Sequence, residues 1–214
     1  MIRAVIWDFG GVLTSSPFEA FNRYEAANHL PANFIRGVNT VNPDANAWAR
    51  FERSEISMSE FDALFAEESA ARGYRIPGRD VVALLGGDVR PEMAAALRHC
   101  AARYRVACIT NNVRAGRGPG MVLDEKRAGD VRAVMALFHH IVESKRAGVR
   151  KPDPRIYLMC CEALDVRPEH AVYLDDLGIN LKPARELGMR TIKVGEPQAA
   201  LAELEAILGH SVRD

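Results

Sequence analysis

No stretch of this chain stays apolar for the ~20 residues that a membrane-spanning helix needs, so no membrane partner is expected. Neither sign of charge is in excess. Lys plus Arg and Asp plus Glu stand at 28 each, so no global field draws nucleic acid, and an anionic ligand must be held by local charge. Cysteine is scarce, at four, and none of Cys100, Cys108, Cys160 and Cys161 forms a Cys-x-x-Cys pair. Reduced, buried thiols in a cytoplasmic protein are the expectation. An apolar strand begins at once, with no basic region ahead of a cleavable apolar stretch, so no secretory signal is expected. Internal repeats and low-complexity segments are also missing. Nothing in the composition sets the oligomeric state.

What is present is regular. Hydrophobic residues make up 48% of 214, enough for one α/β domain with room for an insertion. Met1 to Trp7 is an apolar, β-branched run that reads as a buried strand. From about Pro17 to Gly87 the pattern is helical. Ser57-Met58-Ser59-Glu60 is a capping box, and Pro31, Pro43 and Pro77 divide the region into short helices. Trp48, Phe51 and Phe61 are expected to pack there as core. After Gly86-Gly87, helices and strands alternate: helix from Pro91, strand Val106 to Ile109, helix from Asp153-Pro154, strand Ala171 to Leu174, helix Ile179 to Leu187, strand Thr191 to Val194. This alternation predicts a doubly wound, Rossmann-like parallel sheet covered on both faces. The expected division is an α/β core of residues 1–14 and 88–214 and a helical insertion of residues 15–87.

In such sheets ligands sit beyond the carboxyl ends of the strands. Asp8 falls at such an end, followed by Gly10 and Gly11, which let a ligand approach the backbone. Thr110 ends a second strand, Asp175-Asp176 a third, and Lys151 precedes a helix. A carboxylate, a hydroxyl, a lysine and an acidic pair suit metal-assisted phosphoryl transfer through an acyl phosphate. The letters Asp8-Phe9-Gly10 lack the companion motifs of a kinase, and Gly116 to Gly120 lacks the Gly-Lys-Ser/Thr of a phosphate loop. His139-His140 reads as structural, and Glu52 as a member of an ordinary ion pair.

These motifs, in this order, resemble those of the haloacid dehalogenase superfamily: Val5-Ile6-Trp7-Asp8-Phe9-Gly10-Gly11, Cys108-Ile109-Thr110-Asn111-Asn112, Lys151-Pro152-Asp153-Pro154 and Leu174-Asp175-Asp176-Leu177-Gly178-Ile179-Asn180. Within it the chain is similar to a group that includes the N-terminal phosphatase domain of soluble epoxide hydrolase and small bacterial sugar-phosphate phosphatases. The resemblance implies a small α-helical cap and a Mg²⁺-dependent phosphatase acting on a small phosphorylated metabolite. It also implies Asp8 as nucleophile, and Asp8, the Gly10 carbonyl, Asp175 and Asp176 as the metal site. Thr110, the Asn111 backbone N–H and Lys151 would hold the phosphate, with Gly10 and Gly11 lining it.

One position departs from the family pattern. Many of its phosphatases carry an acid/base aspartate two residues after the nucleophile, where this chain has Gly10. Such a group typically contributes ~10²–10⁴ in rate. An alternative reading follows from its loss: a catalytically weak relative serving as a metabolite- or partner-binding module.

Overall fold

The computed structural model describes residues 1–112 and 125–213; the Gly116 to Gly120 motif lies outside them. Among the described residues, five strands form one parallel sheet: β1 (Ala4–Trp7), β2 (Arg105–Thr110), β3 (His140–Glu143), β4 (Ala171–Asp175) and β5 (Arg190–Lys193). Their order is β3-β2-β1-β4-β5. Successive crossovers run outward from β1 in both directions, so the crevice beside its carboxyl end is a topological switch point. Register places Trp7 beside Cys108 on one side and Leu174 on the other.

The two-residue period of a strand explains why the sheet is buried on both faces. Val5, Trp7, Val106, Cys108, Val172 and Leu174 point into one layer, with Met93, Leu97, Val131, Leu201 and Leu204. These come from α6 (Pro91–Ala101), α7 (Glu125–Met135) and α11 (Pro197–Leu208). Ala4, Ile6, Ala107, Ile109, Ala171 and Tyr173 point the other way, onto Ile156, Tyr157, Cys160, Leu181 and Ala184. That second layer is α9 (Pro154–Ala163) and α10 (Gly178–Glu186), with a short α8 (Ser144–Ala147) following β3. Fully burying each large apolar side chain is worth ~1.5–3 kcal/mol. All four cysteines are buried and unpaired.

Between β1 and α6 the chain makes five helices: α1 (Pro17–Ala27), α2 (Phe34–Asn39), α3 (Ala47–Glu52), α4 (Met58–Ala70) and α5 (Gly78–Ala83). They have an apolar cluster of their own, in which Phe51 and Phe61 stack with ring centroids 4.5 Å apart and Trp48 packs at its margin. The capping box at Ser57 forms: Ser57 N donates to Glu60 Oε2 at 2.7 Å, and Glu60 N donates to Ser57 Oγ. The chain leaves and re-enters the sheet domain side by side. Thr14 and Val89 form an antiparallel bridge, Ser15 N donates to Asp88 O, and Arg90 N donates to Leu13 O.

Among the described residues no helix is long and apolar enough to cross a membrane. His139 is structural, its Nδ1 accepting from Val106 N at 3.0 Å.

Candidate active site

β1, β2 and β4 each end in a polar residue at the same edge of the sheet, because their apolar runs stop where the layers above and below stop. Asp8 follows β1, Thr110 closes β2 and Asp175 closes β4. All three are buried. Lys151 reaches them from the segment before α9, whose start is fixed by Asp153 as N-cap and Pro154 at the first helical position. The Lys151-Pro152 peptide is cis.

Lys151 is the hub. Its Nζ lies 2.7 Å from Asp8 Oδ1 and 2.8 Å from Asp175 Oδ2, and its side chain is 1% exposed. The two carboxylates have different surroundings. Asp8 Oδ1 accepts from Phe9 N at 2.6 Å as well as from Lys151, while no described residue donates to Oδ2. Asp175 is saturated. It accepts from Lys151, the Tyr173 hydroxyl, Leu177 N at 2.8 Å and Asn180 Nδ2 at 3.0 and 3.1 Å. Its oxygens serve to hold Lys151 and the start of α10. Of these two, Asp8 is the one with a carboxylate oxygen that no described residue holds.

Asp176 completes the cluster: one carboxylate oxygen from each of Asp8, Asp175 and Asp176 lies within 4.8 Å of the others. Three carboxylates meet one ammonium, and the ionisation of the group shows the imbalance. Burial raises Asp8 well above 3.8, with Asp175 and Asp176 adding to it and Lys151 opposing. Asp176 is raised to about 6 by burial and by Asp175. Burial alone would lower Lys151, yet Asp175 and Asp8 outweigh it and hold the ammonium above its ordinary value. Two adjacent carboxylates that resist ionisation, together with hard oxygen donors at short separation, fit a divalent cation of the Mg²⁺ type.

The two glycines do different work. Gly11 has φ +78°, and a β-carbon there would collide with the Asp176 carboxylate, so only glycine fits. Gly10 has no positive φ, and a β-carbon added to it would meet nothing within 4 Å. The missing aspartate side chain thus leaves open space, and backbone strain does not require glycine at this position.

The Asn111 side chain is tied to the backbone of Lys151. Its Oδ1 accepts from Lys151 N at 2.8 Å and its Nδ2 donates to Lys151 O at 3.0 Å. Asn112, fully buried, donates through Nδ2 to Glu143 at 2.7 Å. Sequence reasoning missed Tyr173, Asn180 and Asn111's side-chain role. Tyr173 was accessible in principle, since residues two apart on a strand share a face, and a buried carboxylate needs donors on its own face. Glu52 does form an ion pair, at 2.6 Å to Arg150 Nε, but one that joins α3 to the sheet domain.

The haloacid dehalogenase-like hydrolase family model matches residues 2–188. Acyl-CoA dehydrogenase family member 10 of Mus musculus is 36% identical over 217 residues, covering 97% of this chain and 19% of that protein. Bifunctional epoxide hydrolase 2 of Mus musculus is 30% identical over 225 residues, covering 97% of this chain and 39% of that protein. The chain thus spans well under half of these two relatives. A haloacid dehalogenase family enzyme from Bacteroides thetaiotaomicron, solved with magnesium and inorganic phosphate, shares the fold. Its TM-score is 0.58 at 19% identity, covering 91% of this chain and 95% of that one.

Proposed function

The chain belongs to the haloacid dehalogenase-like hydrolases, and from that premise we propose that it is a Mg²⁺-dependent phosphatase of a small phosphorylated metabolite, working through a phosphoaspartyl intermediate on Asp8. The observation that carries this reading is the cluster of Asp8, Asp175 and Asp176 around a single ammonium. Displacement of a halide by a carboxylate needs no such excess of acid, whereas a phosphate dianion brought to Asp8 does need a compensating cation.

Asp8, the Gly10 carbonyl and Asp176 would hold the ion, with Asp175 behind them through its hydrogen bonds or a shared water. When bound, Mg²⁺ supplies Lewis-acid neutralisation of the phosphoryl oxygens. The rest is done by the chain. Lys151 and Phe9 N fix Asp8 Oδ1, which leaves Oδ2 to act on the phosphorus. Oδ2 attacks, the P–O bond to the leaving group breaks, and the leaving oxygen takes a proton from solvent water. Lys151, Thr110 Oγ1 and the Asn111 backbone N–H stabilise the charge spread over the phosphoryl oxygens. Water then attacks the phosphorus of the acyl phosphate and releases Asp8.

Residues 15–87 serve as the cap, with the paired crossings at Thr14 and Val89 as its hinge. No side chain at Gly10 supplies the proton, so the enzyme favours leaving groups that depart with little protonation. The test is hydrolysis of an aryl phosphate by the purified protein. Turnover should require Mg²⁺ and vanish in excess chelator; full turnover in chelator would remove the reading.

A further inference from the structure

α3 does more than pack within the helical unit. Its C-terminal residue Glu52 is 6% exposed and sits 2.6 Å from Arg150 Nε. Its backbone carbonyl accepts from Ser144 Oγ at 2.9 Å. Ser54 Oγ donates to Lys145 O at 3.2 Å, and Arg150 Nη1 donates to Pro43 O at 3.1 Å. Every one of these contacts lands on residues 144–151, the segment that ends in Lys151. Asn111 then closes the circuit. Its Nδ2 lies 3.5 Å from Glu52 Oε2 and also holds the Lys151 carbonyl, while its Oδ1 holds Lys151 N.

The pair is not built for stability alone. Burial raises Glu52 above the ordinary carboxylate value, although Arg150, the Trp48 indole N–H, Lys151 and Arg53 all favour its charged form. Two apolar residues would fill this seam without that desolvation. Charge holds the guanidinium against the carboxylate, and its Nη1 donates to Pro43 O, so Arg150 ties α3 and the turn before it to the segment that ends in Lys151.

We infer that Glu52 and Arg150 are positioning residues through which α3, by way of the Asn111 side chain, sets the backbone of Lys151 for the phosphate, so that seating of the helical unit and capture of phosphate are one event. This rests on the phosphatase reading above. Neither residue touches the reacting atoms. Glu52 is thereby committed to the seam and is not the proton donor missing at Gly10.

Two experiments test it. In the first, inorganic phosphate is titrated with Mg²⁺ against wild type, Glu52→Gln, Arg150→Met and the double variant, each checked for a native circular dichroism spectrum. Phosphate should bind about tenfold more weakly to each single variant and no worse to the double. Mg²⁺ affinity should stay within about twofold of wild type, because the carboxylate cluster is untouched. Phosphate affinity within twofold of wild type in both folded single variants would overturn the inference. The second needs no variant: hydrogen exchange of wild type with Mg²⁺, with and without phosphate. Amides of residues 49–54 should slow when phosphate binds, although phosphate contacts only the sheet domain, and unchanged exchange there would also overturn it. A wild type that binds no phosphate under these conditions would instead count against the phosphatase reading itself.

Discussion

Replacing Asp176 by Asn should make the metal-free protein more stable. Asp176 ionises near 3.8 in an unfolded chain but only at about 6 in the fold, through burial first and Asp175 second. Between those values the folded state holds a proton that the unfolded state has lost, so stability falls as pH rises through that window. Above about pH 6 the whole penalty is present, and the interval corresponds to about 3 kcal/mol. Asn removes the charge and part of the local hydrogen bonding, which is worth ~1 kcal/mol, so the net gain should be about 1–2 kcal/mol. For a chain of this length 1 kcal/mol moves Tm by ~2–4 °C. Thermal unfolding in chelator near pH 7.5 should therefore show the variant melting roughly 2–8 °C above wild type, with the advantage shrinking toward pH 5. Mg²⁺ at a hundred times its Kd should raise wild type by ~2.7 kcal/mol and leave the variant nearly unmoved. A variant that melts at or below wild type in chelator near pH 7.5 would refute the argument that this cluster is strained by its own charge.

Other outcomes follow from the same geometry. Because a side chain at Gly10 meets open space, Gly10→Asp should fold normally and flatten the dependence of rate on leaving-group pKa, raising turnover of alkyl phosphates by ~10²-fold or more; a leaving-group series on both proteins measures it, and an already flat wild-type series would mean that another group donates the proton. Lys151→Met should abolish turnover and also lower stability by about 3–5 kcal/mol, since it strips the partner from two buried carboxylates; urea unfolding that matches wild type would show the lysine to be dispensable to the fold. Mg²⁺ affinity should be full above about pH 7 and fall as pH drops through 6, where protons compete for Asp176, and titration at several pH values should show that slope.

Much of the sheet and the site was legible in the chain because glycines and carboxylates interrupt continuous apolar runs at strand ends. Asp8, Thr110 and the Asp175-Asp176 pair are such interruptions, and the structure brings Asp8 and Asp175 onto one lysine. Taken alone, Lys151 reads as an ordinary solvated lysine beside Arg150; the order of the motifs marks it for phosphate, and the structure adds that it is buried between two carboxylates. Its place depends on contacts 24 and 143 residues away in sequence, which no local pattern encodes. The same holds for Glu52 with Arg150. α2, α3 and α5 are six residues each, too short for helical periodicity to set their bounds, and left-handed residues such as Asn33 and Asn42 shape the turns around them. At Gly10 and Gly11 the sequence shows two equal letters, and only the backbone angles separate the one that must be glycine from the one that need not be.

The central claim is that Asp8 carries the phosphoryl group. The direct measurement is acid quench of the enzyme during turnover of an aryl phosphate with Mg²⁺, followed by digestion and mass spectrometry of the peptide containing Asp8. One phosphoryl increment should appear on Asp8, sensitive to hydroxylamine, absent in chelator and absent in Asp8→Asn, which should have no turnover. Steady turnover by Asp8→Asn at the wild-type rate, with no phosphorylated Asp8 in wild type, would contradict the account.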